Sequence, residues 1–510
     1  MSEASTFDGD GTAADDRGLQ DLKRRTARGA VVSTAAQAGT VALRMASLMI
    51  LARLLAKEDF GLVNMVTAVI GMLGLLRDGL SAATVQRMSV TGAQTSTFFW
   101  INLAVGGLLG LVTALTAPLL VSFYGEPRLF WVTVALGTIL LFNGAAGQHR
   151  AMLQRGMRFT ALAAVDLAAL FSSIAVGIGL AMAGFRYWSL VGMAIAQPLV
   201  GGIGVWLATG WLPGLPRRRS GVRSMVAYGG AVTVSNLLAY LAFNADKVLI
   251  GRFWGAAALG IYGRAYQLVS LPNDNLHSTI GSVAFPALAR VQDDPGRLKA
   301  YFLRGYGLFL SLVVPITMGC ALFADDIVLV FLGSKWHDAT PIFRLLAPTI
   351  LAFAFTNPFA WLILASGRAG RSARIALAVT PVLILGYLLG LPHGPAGVAA
   401  GYSASMAVCV VPVLLWAKRG TLITMMDIFR TARPALVSVV TGVAVTLAIR
   451  PLVDRIQPGF WRLVLESSAL FGGYFLTLVF VMNQKSVYMG LLREIGFLPA
   501  PRWRAAGGKA

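Results

Sequence analysis

Apolar stretches of bilayer length recur along the whole sequence, and they constrain the fold more than any other feature. Fourteen can be placed, near residues 30–55, 61–85, 97–122, 129–152, 160–183, 188–211, 224–250, 256–284, 301–324, 341–365, 372–391, 395–417, 434–452 and 461–482. A membrane-spanning helix needs roughly 20 mostly apolar residues. Only 13% of the residues are charged, about half the share usual in soluble domains. We therefore predict an all-α polytopic membrane protein of about 14 transmembrane helices, called spans 1 to 14.

The basic residues alternate between the loops that join these spans. If both termini are cytoplasmic, 29 of the 43 Lys and Arg residues fall on the cytoplasmic side and eight fall in the outer loops. Cytoplasmic loops of membrane proteins carry such an excess. The same rule accounts for the net charge of +21, so no nucleic acid is expected as a partner.

Two outer connections share a sequence pattern. LARLLAKEDFGLV (Leu51–Val63) aligns with IGRFWGAAALGIY (Ile250–Tyr262) at an offset of 199 residues, which places Gly61 over Gly260. Six spans separate the two copies, so both have the same orientation. This predicts two six-helix lobes related by a parallel pseudo-twofold axis, plus two C-terminal helices. The expected domains are a disordered cytoplasmic N-terminus (1–28), an N-lobe (29–212), a basic cytoplasmic linker (213–223), a C-lobe (224–417), helices 13 and 14 (418–484) and a cytoplasmic tail (485–510).

The repeat also aligns two arginines, Arg53 and Arg252, at the ends of their spans. Long cationic side chains at such positions extend into the headgroup region, so we predict that both anchor helix ends, with a substrate contact as the open alternative. Gly260 is predicted to allow a tight turn before span 8.

Polar and charged residues inside the spans concentrate in spans 1, 2, 7 and 8. A charge facing lipid costs about 2.5–3.5 kcal/mol even on the more lenient scales, so these residues are expected to face a water-filled cavity. The candidates for substrate binding are Arg44, Arg77, Arg264, Gln37, Asn236, Asn273 and Asn275, and those for ion coupling are Asp274, Asp246 and Asp78. Alternatively, Arg77–Asp78 and Asp246–Lys247 are ion pairs in which the two charges neutralise each other and the role is purely structural.

The segment LPNDNL (Leu271–Leu276) is predicted to break span 8 near mid-membrane, because Pro272 removes one backbone hydrogen bond. Broken helices at the midplane often mark transport sites. The alternative is a structural kink satisfied by Asn273 and Asn275.

At these positions the chain resembles the oligosaccharide flippases of the MOP superfamily, the Wzx-type exporters of polysaccharide repeat units. Within that group it is most similar to the exporters of colanic acid, related exopolysaccharides and lipopolysaccharide. The resemblance covers nearly the whole chain and is clearest at LARLLAKEDFGLV, RDGLSAATVQR (Arg77–Arg87), MLQRGMRF (Met152–Phe159), NADKVLIGRFWGAAALGIYGRAYQL (Asn244–Leu268) and VAFPALARVQ (Val283–Gln292).

The resemblance implies a substrate, an undecaprenyl-diphosphate-linked oligosaccharide, that is flipped to the outer face of the bacterial inner membrane by alternating access. Arg44, Arg77 and Arg264 would then bind the diphosphate, because guanidinium forks suit phosphate oxygens. The amide side chains would contact the sugar. Membrane lipids, a polysaccharide polymerase and chain-length proteins are the other expected partners.

Three other classes of function are possible, and the first, a passive scaffold in a polysaccharide assembly complex, would not need charges in the middle of the membrane. A MATE-like drug or organic-cation exporter would favour acidic cavity residues, whereas the charges inside these spans lean basic. A membrane polysaccharide polymerase or ligase would need a large outer loop or a carboxylate constellation. The outer pair Asp325–Asp326 is predicted to lie in a loop or to begin a short amphipathic segment. No G-x-x-x-x-G-K-[ST] motif is present and the four histidines are scattered, so we expect no enzyme, ATP, metal or cofactor.

Overall fold

The computed structural model describes residues 37, 39–86, 92–216 and 223–485, and some helical residues, chiefly 76–86 and 223–236, by their backbone alone. The helices are α1 (39–54), α2 (Lys57–Gln86), α3 (Gly92–Leu115), α4 (Ala117–Tyr124), α5 (Leu129–Arg155), α6 (Phe159–Met182), α7 (Tyr187–Thr209), α8 (Arg223–Arg290), α9 (Pro295–Leu322), α10 (Ala324–Phe331), α11 (Ala339–Ala365), α12 (Ala369–Gly390), α13 (Gly394–Ala417), α14 (Met425–Val453) and α15 (Phe460–Leu476). Gly255, with φ of 78°, interrupts α8. We call the two parts α8a (223–254) and α8b (256–290).

The predicted all-α membrane fold is confirmed. When α8a and α8b are counted separately and the short α4 and α10 are set aside, each predicted span overlaps one long helix of the described residues. Ten helical stretches among those residues are long and apolar enough to cross a membrane.

Several predicted boundaries differ from the structure by four residues or more, among them the following three. Helix α2 begins at Lys57 rather than at residue 61, because the carboxylate of Asp59, its third residue, accepts a hydrogen bond from the Ala56 amide that precedes the helix (3.0 Å). Helix α14 begins at Met425 rather than at residue 434, because Thr424 and Asp427 form a capping box. Helix α8b continues to Arg290 instead of ending at residue 284.

The chain divides into two compact units, residues 1–263 and 264–510. In the first unit, loops predicted to share a side of the membrane do meet. The Arg186 guanidinium lies 3.7 Å from the Asp59 carboxylate, which joins the α1–α2 and α6–α7 connections. At the other end the Trp100 indole donates to the carbonyl of Gly214 (2.9 Å). The predicted alternation of loops therefore holds at these points.

The second unit has the same arrangement. The Lys299 ammonium contacts the Asp427 carboxylate at 2.6 Å, joining the starts of α9 and α14, both predicted to be cytoplasmic. The Arg462 guanidinium lies 3.2 Å from the Asp326 carboxylate, which joins the α9–α11 and α14–α15 connections, both predicted to be outside. Asp325 lies in the first turn of α10, which confirms the predicted short amphipathic segment. The predicted domain limits, including a linker at 213–223 that lies partly outside the described residues, stay predictions.

Candidate transport site

Helices α2 and α8b pack backbone against backbone where the repeated segments meet. A Cβ atom built on Gly61 would lie 1.7 Å from the Ala256 carbonyl oxygen, and one built on Gly260 would lie 1.9 Å from the Lys57 carbonyl oxygen. No real Cβ atom fits at such distances, so only glycine permits this contact. Small residues commonly let membrane helices approach so closely. We call these four residues the glycine crossing.

The two contacts of the glycine crossing are reciprocal. Lys57 and Ala256 stand 199 residues apart, as do Gly61 and Gly260, so the repeat exchanges one contact with the other. This reciprocity is what a parallel repeat predicts near its axis, although the arrangement of the complete repeats stays a prediction. The predicted role of Gly260 in a turn is wrong: Gly255 makes the turn, and Gly260 lies inside α8b.

Asp246 is a fully buried carboxylate near the end of α8a, 0% exposed. Its Oδ2 accepts a hydrogen bond from the Tyr262 hydroxyl (2.7 Å), which ties α8a to α8b across the Gly255 turn. Its Oδ1 is buried with no hydrogen-bond partner. The neighbouring Lys247 ammonium donates to the Asn244 amide oxygen (2.7 Å). A buried carboxylate with one unsatisfied oxygen is costly, so Asp246 is a strong candidate for binding a proton or cation.

The other predicted residues of α8b, which are Arg264, Asn273, Asp274 and Asn275, belong to the second unit. Arg264 is half-buried, whereas Asp274 is exposed. Asn273 donates to the Asp274 carboxylate (3.3 Å), and the Asn275 amide donates to the Leu271 carbonyl (2.7 Å).

The predicted break at Pro272 is wrong, since the dihedral angles around it stay helical and the interruption lies at Gly255. Membrane helices tolerate proline where their surroundings compensate for the lost backbone bond.

Sequence reasoning missed His277, which follows Asp274 by about one helical turn. Its imidazole stacks on the Trp361 indole of α11, with ring centroids 4.8 Å apart. The Nδ1 atom of His277 is buried without a hydrogen-bond partner. The spacing of an acid and a histidine three residues apart was the available signal.

The remaining candidates lie on α1, α2 and α8a. Gln37, just before the described start of α1, and Arg44 are both exposed, and a spacing of seven residues is that of one helix face. For Arg77, Asp78 and Asn236 the helical backbone is described but the side chain is not. The Arg77–Asp78 pair therefore stays a prediction.

The two arginines of the repeat have the exposure expected of helix anchors. Arg53 and Arg252 are both exposed. The Arg252 guanidinium lies 5.7 Å from the centre of the Phe123 ring and 5.8 Å from that of Phe253. Cation–π contacts within about 6 Å are favourable, so they hold this arginine at the end of α8a.

The comparisons with known proteins first give the class: a multi-pass helical membrane protein with the fold of a lipid flippase. The structure titled "Lipid II flippase MurJ, inward closed conformation" has a TM-score of 0.72 and covers 91% of this chain and 99% of its own. At 13% identity this similarity shows the fold alone. Residues 50–341 match the family described as "Polysaccharide biosynthesis protein". This match spans more than half of the chain, so the protein belongs to that family.

Two curated relatives agree with the family. The Bacillus subtilis (strain 168) "Teichuronic acid biosynthesis protein TuaB" is 30% identical over 296 residues, which is 57% of this chain and 61% of TuaB. The Escherichia coli (strain K12) "Lipopolysaccharide biosynthesis protein WzxC" is 25% identical over 394 residues, which is 75% of this chain and 78% of WzxC. The match thus spans about three fifths of TuaB and about four fifths of WzxC.

Proposed function

We propose that this protein is a flippase that moves undecaprenyl-diphosphate-linked oligosaccharide repeat units from the cytoplasmic to the outer face of the inner membrane, by alternating access. The product would enter exopolysaccharide or lipopolysaccharide biosynthesis. One observation carries the proposal: a lipid-flippase fold extends over 91% of a chain that belongs to a polysaccharide biosynthesis family. The relatives named for teichuronic acid and lipopolysaccharide biosynthesis support the substrate class.

The charged residues of the spans suit such a substrate. A diphosphate carries about two negative charges, and arginine binds phosphate oxygens through a planar fork. Arg264 keeps a guanidinium half-buried in α8b, and Arg44 is exposed on α1. These two arginines are the proposed contacts of the diphosphate. Arg77 is a third candidate, and Gln37, Asn236, Asn273 and Asn275 would contact the sugar.

Arginine substitutions test this assignment. Arg44→Ala and Arg264→Ala should abolish polymer export at normal protein levels, and the Lys variants should restore it only in part because lysine lacks the fork. Arg53→Ala and Arg252→Ala are matched controls and should have milder effects, since those arginines are predicted to anchor helix ends. Full polymer export by Arg44→Ala and Arg264→Ala would contradict the assignment.

We also propose Asp246 as the residue that couples flipping to an ion gradient. It is fully buried with an unsatisfied oxygen, whereas Asp274 is exposed. In vesicles, Asp246→Asn should bind substrate but lose its dependence on the ion gradient, and Tyr262→Phe should weaken that dependence. Asp274→Asn is the matched control. If only Asp274→Asn loses the gradient dependence, Asp274 is the coupling residue instead. An Asp78→Asn variant tests Asp78 in the same way.

The alternative functions fit the described residues less well. The outer carboxylates Asp325 and Asp326 are held by Arg344 and Arg462 in ion pairs, so they are engaged rather than poised for the acid–base work of a polymerase or ligase. A drug or organic-cation exporter would need acidic groups facing its cargo, and the substrate-facing candidates here are mostly arginines and amides. Transport of an organic cation by purified protein, without transport of the lipid-linked sugar, would favour the exporter.

The proposed function also implies a cellular membrane, a topology and protein partners. We expect the bacterial inner membrane, with both termini cytoplasmic and with Arg128, Arg186, Lys335 and Asp454 outside. Impermeant labelling of single cysteines at these positions in intact spheroplasts tests the topology. A C-terminus on the outer side would contradict it. A polysaccharide polymerase and chain-length proteins are the proposed protein partners, to be tested by co-purification.

A further inference from the structure

The connection between α6 and α7 contains a strained residue. Arg186, just before α7, has φ of 49° and ψ of −128°. The Trp188 amide donates to the Phe185 carbonyl (3.0 Å), so residues 185–188 form a β-turn in which Arg186 has the dihedral angles of the first central position of type II′. Glycine is usual at that position, because a Cβ atom is crowded there. Strain of this kind persists only where surrounding contacts maintain it, so a contact of the Arg186 side chain is expected to compensate for it.

Among the residues that the structure describes, the Arg186 guanidinium makes a single ion pair, with Asp59 of α2. Its Nε atom lies 3.7 Å from Asp59 Oδ1, and the side chains of Arg186 and Asp59 are 64% and 2% exposed. Asp59 Oδ1 is buried without a hydrogen-bond partner, since the Ala56 amide donates to Oδ2. A charge-assisted hydrogen bond measures about 2.8 Å, so the pair is open by about 0.9 Å. The buried oxygen gains a donor when the pair closes.

A second arginine lies near Asp59 but is held by another carboxylate. The Arg128 charge acts on Asp59, yet the Nε and Nη2 atoms of Arg128 donate to the two carboxylate oxygens of Glu126, at 2.8 Å each. Such two-point pairing fixes a guanidinium in position. Arg186 is therefore the arginine that can close on Asp59 Oδ1.

Asp59 belongs to the segment of α2 that forms the glycine crossing. It lies two residues after Lys57 and two residues before Gly61, and all three belong to one continuous helix. A shift of α2 at the glycine crossing therefore also moves Asp59 relative to the α6–α7 turn. The repeat aligns Asp59 with Ala258, 199 residues further on, so the acidic partner is present in the first copy alone.

We propose that Arg186 and Asp59 form a latch that favours the open state of the glycine crossing. In this structure the crossing is closed, since each of its glycines meets a carbonyl, and the latch is open. When the crossing opens, α2 moves, Arg186 closes on Asp59 Oδ1, and the new ion pair offsets part of the cost of separating the helices. The strained turn keeps the guanidinium within reach of the carboxylate. This inference rests on the alternating access proposed above, and it assigns to one ion pair the control of how often the crossing opens.

The labelling rate of a single cysteine, Ala256→Cys, by an impermeant maleimide tests the proposal in the full-length protein with its two native cysteines replaced. Asp59→Asn keeps an acceptor for the Ala56 amide, and Arg186→Gly suits the type II′ turn, so both variants are expected to fold. Each should reduce the labelling rate about fivefold, as for an ion pair with a solvent-exposed partner. The double variant should show the same reduction as either single variant, because both changes remove one interaction.

Three further measurements separate a latch from a purely structural role. Arg128→Gln, at the neighbouring arginine, is the matched control and should leave the labelling rate unchanged. The melting temperature of Arg186→Gly should not fall, because glycine relieves the strain in the turn. Molar salt should reduce labelling of the protein with an intact latch, because it screens the exposed charge, but it should not change labelling of Arg186→Gly.

Several outcomes would overturn the latch. These are an unchanged or increased labelling rate in Asp59→Asn and Arg186→Gly, or reductions that add together in the double variant. Equal labelling of all the proteins would contradict the latch alone and leave alternating access standing. If Ala256→Cys is labelled in none of the proteins, the crossing does not open, and both the latch and alternating access at this crossing are wrong.

Discussion

Alanine at either glycine of the glycine crossing should push α2 and α8b apart. The Cβ of Gly260→Ala would start 1.9 Å from the Lys57 carbonyl oxygen, and ordinary contact begins at 3.4 Å, so the helices must separate by about 1.5 Å. Overpacking of this kind costs about 1–3 kcal/mol. If the crossing opens during transport, either alanine variant shifts the equilibrium away from the closed crossing by roughly 5- to 150-fold.

The assay is the reactivity of a single cysteine at the crossing, Ala256→Cys, in a background without Cys320 and Cys409. Labelling by an impermeant maleimide should increase in Gly61→Ala and Gly260→Ala, and polymer export should fall because the closed state is needed to complete the cycle. Gly179→Ala is the control, since a Cβ there meets nothing within 4 Å. Wild-type labelling and wild-type export in both crossing variants would refute the reasoning.

Two further predictions concern stability in detergent. Arg462→Met should lower the free energy of unfolding by about 3–5 kcal/mol, because Asp326 and Glu466, whose side chains are 3% and 5% exposed, would lose their buried cation. Arg344→Met, at an exposed pair, should cost at most about 1 kcal/mol, and similar melting temperatures for the two variants would contradict this. Thr424→Ala should cost about 1 kcal/mol through the lost capping box of α14, and an unchanged melting temperature would show that packing alone fixes that helix start.

The apolar stretches predicted the helices because span length and composition are local properties of the chain. The apolar stretch begins near Pro434, but α14 begins earlier because the Thr424–Asp427 pair upstream forms a capping box. Proline inside a membrane helix is tolerated more readily than in a soluble one, so a cap outweighs it here.

The candidate site could be predicted less well than the helices, because it depends on contacts between residues that are far apart in the sequence. The repeat aligned Gly61 with Gly260, but an alignment shows only that a side chain is absent, so the close contact of each glycine with an opposing carbonyl appears only in three dimensions. Asp246 was selected as a charge inside a span, yet its partner Tyr262 lies on the far side of the Gly255 turn. His277 was missed because its stacking partner, Trp361, lies on another helix.

The anchoring of Gly214 sets a mechanical limit on the chain that follows it. Its carbonyl accepts from the Trp100 indole and its amide donates to the Ser96 hydroxyl (3.0 Å), so the segment after α7 is fastened to α3. Nine peptide steps then lead to Arg223, where α8 begins, and such a length can reach at most roughly 30 Å. However α8a moves during a cycle, its first residue stays within that radius of Gly214, so the number of residues in the connection limits how far the start of α8a can move.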